Sequence, residues 1–426
     1  MHHIWEQRLL RGDKLRTVDG RKVRVIDPGK VNTDAGPDFF NAKIKIDDEL
    51  WAGDVEMHVR ASDWFRHGHQ NDTAYDSVVL HVVHRDDMAV QRPSTNEVIP
   101  QMVMDWAPDF VDRYRVMVND APMSLPCSKA VMAMQGIYRT AWLTRLGHER
   151  LQDKSERILS LLSHTTNNWE EACYITLARA LGSGTNGDAF QRLALSTPVK
   201  LILRQSDNIL SIESLLFGQA GLLEEVHPEN EYFTRLQQEY RYLQKKFGIK
   251  PAPNLNWKQS RMRPANFPHR RIALLASFLS DGFALLWKIL NAKGLDDLRR
   301  IFNKDMSGYW VNHFNFNMSA ICGYLTLSDA SIDSLIINVA VPMLYCYAEN
   351  QATGDEAEAY RAKALEYLES IKPEKNFITT MFKNAGIGCK DAFTSQAMIQ
   401  LRRNYCEQRK CIYCAFGHKV LSNSVG

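Results

Sequence analysis

Short apolar runs alternate with turn residues from the start of the chain to about residue 105. The runs have the length of β-strands and contain several β-branched residues. They lie at residues 23–26, 42–46, 51–59 and 77–84. This pattern predicts a mixed, mostly antiparallel sheet, with a short helix around residues 5–10 ahead of it.

From about residue 135 onward, the apolar positions recur with the period of an α-helix. Predicted helices cover residues 137–162, 169–181, 190–195, 211–223, 231–247 and 272–290. Pro251 and Pro253 interrupt this series, because two prolines separated by one residue are not tolerated inside a helix. We therefore predict an α+β protein with a strand-rich domain at 1–120, a helical domain at 121–250 and a second helical domain at 251–426.

The third apolar run carries a set of ionisable side chains. Because successive strand residues point to opposite faces, Asp54, Glu56 and His58 share one face and the apolar residues between them share the other. Three ionisable groups on one strand face are costly to bury unless something binds them. Asp38 begins the preceding run, and a hairpin of the two runs would bring it close to Glu56. Two carboxylates with a backbone carbonyl between them are ligands that hard divalent cations prefer.

The same region is rich in histidine, since five of the thirteen histidines lie within residues 58–84. Taken singly, Asp54 and the run at 67–69 are typical of solvated edge and loop residues, and His81 is typical of a histidine satisfied within a sheet. The strand set with Asp38 is the stronger candidate for a functional site.

Residues 36–58 resemble the core of the PD-(D/E)XK nuclease superfamily. The tripeptide Gly36-Pro37-Asp38 matches its proline–aspartate element, and Glu56-Met57-His58 matches its Glu-X-Lys strand, with the histidine in the position of the lysine. Residues 32–84 are more similar still to a bacterial family known as domain of unknown function 2851, whose members share the helical remainder of the chain. This second resemblance implies a family and no activity.

The resemblance to the nuclease superfamily implies a restriction-endonuclease-like sheet domain that hydrolyses phosphodiester bonds of DNA or RNA. Asp38 and Glu56 would hold Mg²⁺ or Mn²⁺ together with the backbone carbonyl of Met57, and Glu6 would match the acidic residue that many members carry on an opening helix. His58 departs from the pattern because a histidine is not permanently cationic. It would serve as a general base or as a metal ligand that favours Mn²⁺ over Mg²⁺.

Four arginines and two prolines lie within residues 261–271, ahead of an apolar helix. Prolines hold the segment extended, and arginine side chains suit phosphate oxygens. The arginines are Arg261, Arg263, Arg270 and Arg271. Two interpretations are open: a loop that contacts nucleic-acid phosphates, or a clasp in which the arginines pair with acidic residues of a neighbouring domain.

The C-terminal region has the spacing C-x4-C-x2-C-x3-H over Cys406, Cys411, Cys414 and His418. Three thiols this close in sequence are able to surround one ion, and the x2 spacing is common in chelating pairs. Either Cys389 or His418 would complete the set. A structural zinc ion is the leading prediction, an iron–sulphur cluster is the second, and reduced thiols without a ligand are the alternative.

The composition and the motifs that are missing from the sequence exclude several classes of function. Lysine and arginine number 52 against 49 aspartates and glutamates, so the net charge of +3 does not by itself indicate a polyanion partner. We find neither a signal peptide nor an apolar stretch near the roughly 18 residues of a membrane span, and we expect a cytoplasmic protein without a membrane partner. A Walker loop, a dinucleotide fingerprint and a serine-nucleophile elbow are also missing.

The leading functional hypothesis is a divalent-metal-dependent nuclease. One alternative is a non-catalytic nucleic-acid-binding or scaffold protein with a degenerate nuclease core, because the lysine of the motif is replaced. Another is a metal hydrolase acting on a small phosphorylated substrate.

Overall fold

The computed structural model describes residues 1–6, 15–32, 35–104, 112, 114–115, 117, 125–224, 229–252, 255–280, 282–306, 308–320 and 326–422. The chain divides into two units, one of Met1–Arg139 with Arg403–Gly426 and one of Thr140–Arg402. The predicted α+β class is confirmed, since a mixed sheet lies in the first unit and the second unit is mainly helical. The division predicted at residues 120 and 250 differs from this one, because the first unit takes in the C-terminal segment.

In the described part of the first unit, six strands form the sheet. They are β1 (Val23–Asp27), β2 (Lys30–Val31), β3 (Phe39–Ile46), β4 (Glu49–Arg60), β5 (Val78–Arg85) and β6 (Gln101–Val103). Their order is β1-β3-β4-β5-β6, with β2 paired to the start of β3. The pairs β1–β3, β2–β3 and β3–β4 are antiparallel, whereas β4–β5 and β5–β6 are parallel. The four predicted strands are confirmed, while β2 and β6 are too short for their pattern to be recognised.

One face of the sheet packs on an apolar core. The N-terminal helix His2–Glu6 lies against this core, with Trp5 fully buried and its indole N–H donating to the carbonyl of Pro28 at 2.9 Å. This bond ties the helix to the turn between β1 and β2. The helix begins earlier than the predicted range of 5–10, and residues 7–10 lie outside the described ones.

The connection between β4 and β5, residues 61–77, crosses the opposite face of the sheet. Parallel neighbours cannot be joined by a tight turn, so the chain must return over one face before β5 begins. This crossover contains the helix Asp63–Arg66 and the 3₁₀ turns His69–Asn71 and Thr73–Ser77. Its Trp64 is fully buried in a small second core. The crossover therefore covers the ionisable face of β4.

The C-terminal segment belongs to the first unit. A 3₁₀ turn, Cys411–Tyr413, leads into the helix Ala415–Ser422, which packs beside the helix Ser128–Ala133. Gly417 fits closely against the turn, because a Cβ atom there would overlap the carbonyl of Cys411. A side chain at this position would push the helix away from the turn.

The second unit is mainly helical, and its first helix begins just before the unit does. The helices are Gly136–His164, Trp169–Leu181, Ser183–Ser196, Val199–Ile202, Ile209–Gln219, Glu231–Phe247, Pro268–Leu279, Leu285–Leu290, Leu295–Phe302, Gly308–Val311, Asp329–Leu335, Val341–Asn350, Gly354–Ser370, Phe377–Asn384 and Ala392–Gln400. The predicted helices are confirmed within a few residues, with two exceptions. The helix expected over 190–195 begins seven residues earlier, at Ser183, and the one expected over 272–290 is interrupted between Leu279 and Leu285. Pro251 lies in a non-helical stretch, as predicted, and Pro253 lies outside the described residues.

One helical stretch of the second unit, Asp329–Asn350, is long and apolar enough to cross a membrane by length and composition alone. It includes a π-helical turn at Ile336–Ala340. The most apolar 18-residue window of the stretch has a mean hydropathy of 1.4, and 61% of that window is buried inside the protein. The expectation that no stretch of this length and hydropathy is present is therefore wrong. Most of the window is buried against other parts of the second unit, as in the core helix of a folded domain.

Glu171 is a buried carboxyl group near the start of the helix Trp169–Leu181. Both of its oxygens lie 3.1 Å from the backbone N–H of Val199, which donates to them. Burial raises the pKa of Glu171 above its ordinary value of 4.5. The folded state therefore keeps the proton to higher pH than the unfolded state does. Ionisation of Glu171 costs stability as the pH rises from 4.5 through the folded-state pKa.

We expect Glu171→Gln to remove this part of the pH dependence. The free energy of unfolding of the variant, relative to the wild type, should grow as the pH is raised from 4.5 towards neutrality. Urea unfolding followed by circular dichroism at a series of pH values measures this difference. Glu369→Gln changes an exposed carboxylate of the same unit and is the control. A difference for Glu171→Gln that does not vary with pH would contradict the prediction.

Candidate functional site

A β-bulge between β3 and β4 sets the position of Asp38. The register between these strands shifts within residues 39–42, where Asn41 adopts a left-handed φ of 56°. The N–H of Asn41 donates to Asp54 at 3.0 Å, and the hydroxyl of Ser77 donates to the other oxygen of Asp54 at 2.6 Å. Asp54 is therefore a buried residue that holds the bulge, and its interpretation as a solvated edge residue is wrong.

Asp38 and Glu56 are linked through each other's backbone. The N–H of Asp38 donates to Glu56 Oε2 at 3.0 Å, and the N–H of Met57 donates to Asp38 Oδ2 at 3.0 Å. In an extended strand the N–H and C=O of one residue point to the same edge, so the carbonyl of Met57 is directed to the side of β4 on which Asp38 lies. The structure thus brings together the two carboxylates and the carbonyl that the sequence analysis singled out.

His58 lies at the centre of a group of histidines on the same face of β4 as Glu56. Its Nδ1 is 2.9 Å from Nε2 of His81, and its Nε2 is 3.1 Å from Nδ1 of His67. Oε1 of Glu56 lies 3.4 Å from Nε2 of His58 and 3.3 Å from Nε2 of His69. His58, His67 and His69, hereafter the histidine trio, offer ligand atoms that all lie within 4.8 Å of one another.

The crossover explains why the trio assembles. His67 and His69 lie on the crossover, which the parallel pairing of β4 and β5 places over the ionisable face of β4. Gly68 between them has a φ of 80°, a left-handed conformation that favours glycine. The interpretation of residues 67–69 as solvated loop residues holds for the exposed His67, whereas the side chain of His69 is 12% exposed. In the sequence, the high density of histidines in residues 58–84 indicates a candidate site, but it does not predict which of these histidines contact one another.

Aromatic rings fix the orientation of these imidazoles. His69 stacks on Tyr75 with ring centroids 3.9 Å apart, and Trp64 meets His69 and His81 edge-on at 5.4 and 5.3 Å. His81 is fully buried, and its Nδ1 has no hydrogen-bond partner in the described part of the chain. His81 is thus only half satisfied, in contrast to the expectation for a sheet histidine.

Burial governs the charges of the site. Burial, and next the negative charge of Asp38, raise the pKa of Glu56 to about 8. Burial, followed by the neighbouring histidines, lowers the pKa of His58 to about 4 and that of His81 to about 3. The two imidazoles are therefore neutral at physiological pH.

The N-terminal helix contributes His2 rather than Glu6 to this region. Nε2 of His2 lies 3.0 Å from Asp38 Oδ2, and its ring meets that of Phe39 edge-on. Glu6 is half-buried at the other end of the helix, and no contact joins it to Asp38 or Glu56 among the described residues. The implied role of Glu6 as an acidic site residue therefore receives no support from the structure.

The arginines of residues 261–271 separate into two pairs. Arg270 is buried and donates to two backbone carbonyls at 2.6 and 3.3 Å. Arg271 donates to a side-chain amide oxygen at 2.6 Å, and burial lowers its pKa to about 10. These contacts hold the two arginines inside the second unit. The acceptors in them are carbonyl and amide oxygens, whereas a clasp was expected to use acidic side chains. Arg261 and Arg263 are exposed.

The cysteines of the C-terminal region are divided between the two units. Cys389 lies in the second unit, where its thiol is 3.7 Å from the carbonyl of Asp391. Cys406, Cys411 and Cys414 lie in the first unit. Within the described ranges, the histidine trio is the one group of three or more candidate ligand atoms within 4.8 Å, so the cysteines do not form such a group. The predicted chelating set is not preassembled.

Cys127 is a further cysteine of this region, and it lies far from the C-terminal cysteines in the sequence. Burial, followed by the neighbouring thiols of Cys414 and Cys411, raises its pKa to about 12. Cys127 directly precedes the helix Ser128–Ala133, against which the C-terminal helix packs. The fold therefore places a fourth thiol near the C-terminal pair by a contact that has no signal in the local sequence.

The fold and the site define an α+β protein whose sheet carries a buried cluster of carboxylates and histidines. A family model described as "Protein of unknown function (DUF2851)" matches residues 1–377, and the chain belongs to this family. The matched part includes the cluster and the arginine segment, whereas the three C-terminal cysteines lie beyond it. No curated protein and no solved structure matches the chain significantly.

The bulge gives a direct test of this arrangement. We expect Asp54→Ala to lower the free energy of unfolding by about 1–3 kcal/mol, because the N–H of Asn41 and the hydroxyl of Ser77 both lose their acceptor, at about 0.5–1.5 kcal/mol for each hydrogen bond. Asp48→Ala removes an exposed carboxylate beyond the other end of β3 and should change the stability by less than about 0.5 kcal/mol. Urea unfolding of both variants measures the difference, and equal stabilities would contradict the role given to Asp54.

Proposed function

We propose that this protein is a divalent-metal-dependent nuclease that hydrolyses phosphodiester bonds of DNA or RNA at Asp38 and Glu56. The observation that carries the proposal is the reciprocal contact of these two residues, in which each carboxylate accepts a backbone N–H at or beside the other residue. The resemblance of residues 36–58 to the PD-(D/E)XK superfamily supports the same assignment. That motif needs an acidic residue at the start of one strand beside a second within the next strand.

Asp38, Glu56 and the carbonyl of Met57 would hold Mg²⁺ or Mn²⁺. This donor set fits such an ion because it consists of oxygen atoms and because two carboxylates offset the charge of the ion. The imidazole of His58, 3.4 Å from Glu56, favours Mn²⁺ if it joins these ligands. When bound, the ion lowers the pKa of an attacking water and stabilises negative charge on the phosphoryl oxygens.

His58 takes the position of the lysine in the motif. Burial keeps its imidazole neutral, so it is able to accept a proton from a water molecule or to orient that molecule. Its Nδ1 faces His81, which leaves Nε2 on the side of Glu56. We therefore assign to His58 the role of general base or water-orienting residue when its Nε2 is free of metal, and the role of metal ligand when Nε2 binds an ion.

Arg261 and Arg263 are proposed to contact the phosphates of the nucleic acid. Both are exposed, and the prolines beside them restrict the backbone of the segment. Arginine side chains bind phosphate oxygens through paired N–H donors. Arg270 is not included, because backbone carbonyls of the second unit occupy its guanidinium group.

Two isosteric substitutions test the nuclease proposal. We expect Asp38→Asn and Glu56→Gln each to lower the rate of cleavage by at least about a hundredfold, since the loss of a charged ligand removes several kcal/mol of transition-state stabilisation. Cleavage of labelled single- and double-stranded DNA and RNA is measured with Mg²⁺, with Mn²⁺ and with a chelator. Asp48→Asn, an exposed carboxylate outside the site, is the matched control.

The same assay separates the alternative functions, provided that circular dichroism shows the variants to be folded. Gel shifts with nucleic acid but no cleavage with either metal would favour a nucleic-acid-binding or scaffold protein. Cleavage of a small phosphodiester or phosphomonoester alone would favour a hydrolase of small phosphorylated substrates. Wild-type cleavage by both variants would exclude the site.

At the C-terminus we propose a structural zinc ion, with an iron–sulphur cluster as the second candidate. Cys406, Cys411 and Cys414 would be ligands, with His418 of the same unit as the fourth. The three thiols lie in one unit, on the segment that leads into the last helix, and Cys127 lies near two of them. A bound ion would draw them closer together, because metal binding by thiolates is coupled to folding.

Removal of the metal tests this second proposal. We expect protein treated with a chelator to melt at a lower temperature than untreated protein and to expose the three thiols to alkylation. Elemental analysis and visible absorbance distinguish zinc from an iron–sulphur cluster. Equal melting temperatures, with the thiols alkylated to the same extent in both samples, would identify them as reduced cysteines without a ligand.

A further inference from the structure

The donor atoms around Glu56 have the spacing of a metal-coordination shell. Nε2 of His58 is 3.1 Å from Nδ1 of His67 and 3.4 Å from Oε1 of Glu56, which in turn is 3.3 Å from Nε2 of His69. Ligand atoms of a tetrahedral zinc ion, bound at about 2.0–2.1 Å, lie roughly 3.3–3.4 Å from one another. The three nitrogen donors of the trio lie within 4.8 Å of one another, and Oε1 of Glu56 lies close to two of them, those of His58 and His69. The trio can therefore close around one ion, and a rotation of the Glu56 side chain would add its oxygen as the fourth donor.

We propose that the histidine trio, with Oε1 of Glu56 as the fourth donor, binds one Zn²⁺ ion at a site distinct from the Mg²⁺ or Mn²⁺ position between Asp38 and Glu56. Three imidazoles and one carboxylate form a donor set that suits zinc and other late divalent transition metals, whereas Mg²⁺ prefers oxygen atoms alone. The site shares Glu56 and His58 with the nuclease motif, but its other two donors, His67 and His69, lie on the crossover and are not part of that motif.

The two carboxylate oxygens of Glu56 face the two proposed metal positions, one oxygen for each. Oε2 accepts the N–H of Asp38, so this oxygen faces the oxygen-rich position. Oε1 faces the imidazoles of His58 and His69. One carboxylate therefore borders both donor sets, and carboxylates commonly bridge neighbouring metal ions in this way.

The surroundings support His58 as a metal ligand. A histidine that binds a metal through one ring nitrogen usually donates a hydrogen bond from the other, which fixes its tautomer. Nδ1 of His58 lies 2.9 Å from Nε2 of the buried His81, which provides such an acceptor. On the crossover side, Tyr75 stacks on His69 and restricts the rotation of its ring.

A chain of hydrogen bonds between histidines explains the cluster less completely. Such a chain would account for the contacts of His58 with His81 and His67. It leaves Nε2 of His69 unexplained, because this atom is buried, lies 3.3 Å from Glu56 and makes no hydrogen bond with any described residue. A metal ion beside Glu56 would satisfy this nitrogen, and this is the observation that favours an ion.

Metal binding by the full chain, purified without a histidine tag, tests the proposal. After removal of metals, zinc is titrated in competition with a chromophoric chelator, and the bound metal is counted by elemental analysis. We expect His67→Ala and His69→Ala each to weaken one equivalent of zinc by at least about tenfold, as loss of one ligand requires. His84→Ala, which removes an exposed histidine of β5, should leave this equivalent unchanged.

Cobalt replacement separates this ion from one bound by cysteines. Co²⁺ in a site of nitrogen and oxygen donors gives visible bands without the strong near-ultraviolet absorption of cobalt–thiolate bonds. We expect the visible bands to decrease in His67→Ala and His69→Ala while any thiolate absorption remains. Because His67 is exposed, its substitution should leave the fold intact, which circular dichroism checks.

Two results would overturn the proposal: no zinc bound at micromolar concentration by the wild-type protein, or equal zinc affinity and number in the wild type and both histidine variants. Either would identify the trio as a hydrogen-bonded group. The variant Asp38→Asn distinguishes a failure of the zinc proposal from a failure of the nuclease proposal. That variant should lose cleavage and retain the zinc equivalent.

Discussion

The parallel pairing of β4 with β5 is the constraint on which the candidate site depends. An antiparallel pair could be joined by a tight turn at the end of the sheet, which would leave the ionisable face of β4 open to water. The parallel pair instead requires a crossover, and residues 61–77 pass over Glu56 and His58. The same crossover brings two more histidines to that face and removes water from it. The arrangement of the donors and the desolvation that shifts their pKa values thus have one origin.

The sequence predicts those features that depend on local period. Alternation along β4 separates its apolar and ionisable faces, and the motif at residues 36–58 is enough to pair Asp38 with Glu56. The strand direction of β5, the bulge at Asn41 and the partners of Arg270 are not predictable in this way. Each depends on contacts between residues distant in sequence, and the local pattern is the same whether an arginine faces a phosphate or a buried carbonyl.

The site is costly to the fold without a ligand. A carboxyl group with a raised pKa and neutral histidines with lowered pKa values lie together in one buried region. A ring nitrogen of His81 in the same region has no hydrogen-bond partner among the described residues. Each of these features opposes stability, and functional sites are where such costs tend to concentrate. By contrast, Asp54 is a buried acid whose oxygens both accept hydrogen bonds, as expected of a residue with a structural role. The contrast separates Asp54, an acid that stabilises the sheet, from Glu56, an acid for which we propose a role in metal binding.

The first unit is assembled from both ends of the chain, which has a consequence for its biosynthesis. Residues 140–402 must leave the ribosome before the segment 403–426 is available to the sheet unit. At roughly 5–20 residues per second, this interval lasts tens of seconds. Throughout that time the helix Ser128–Ala133 lacks its C-terminal neighbour, and Cys127 lacks the nearby thiols of the tail. The nascent sheet unit is therefore exposed to chaperones and to oxidants in a form that the finished protein no longer presents.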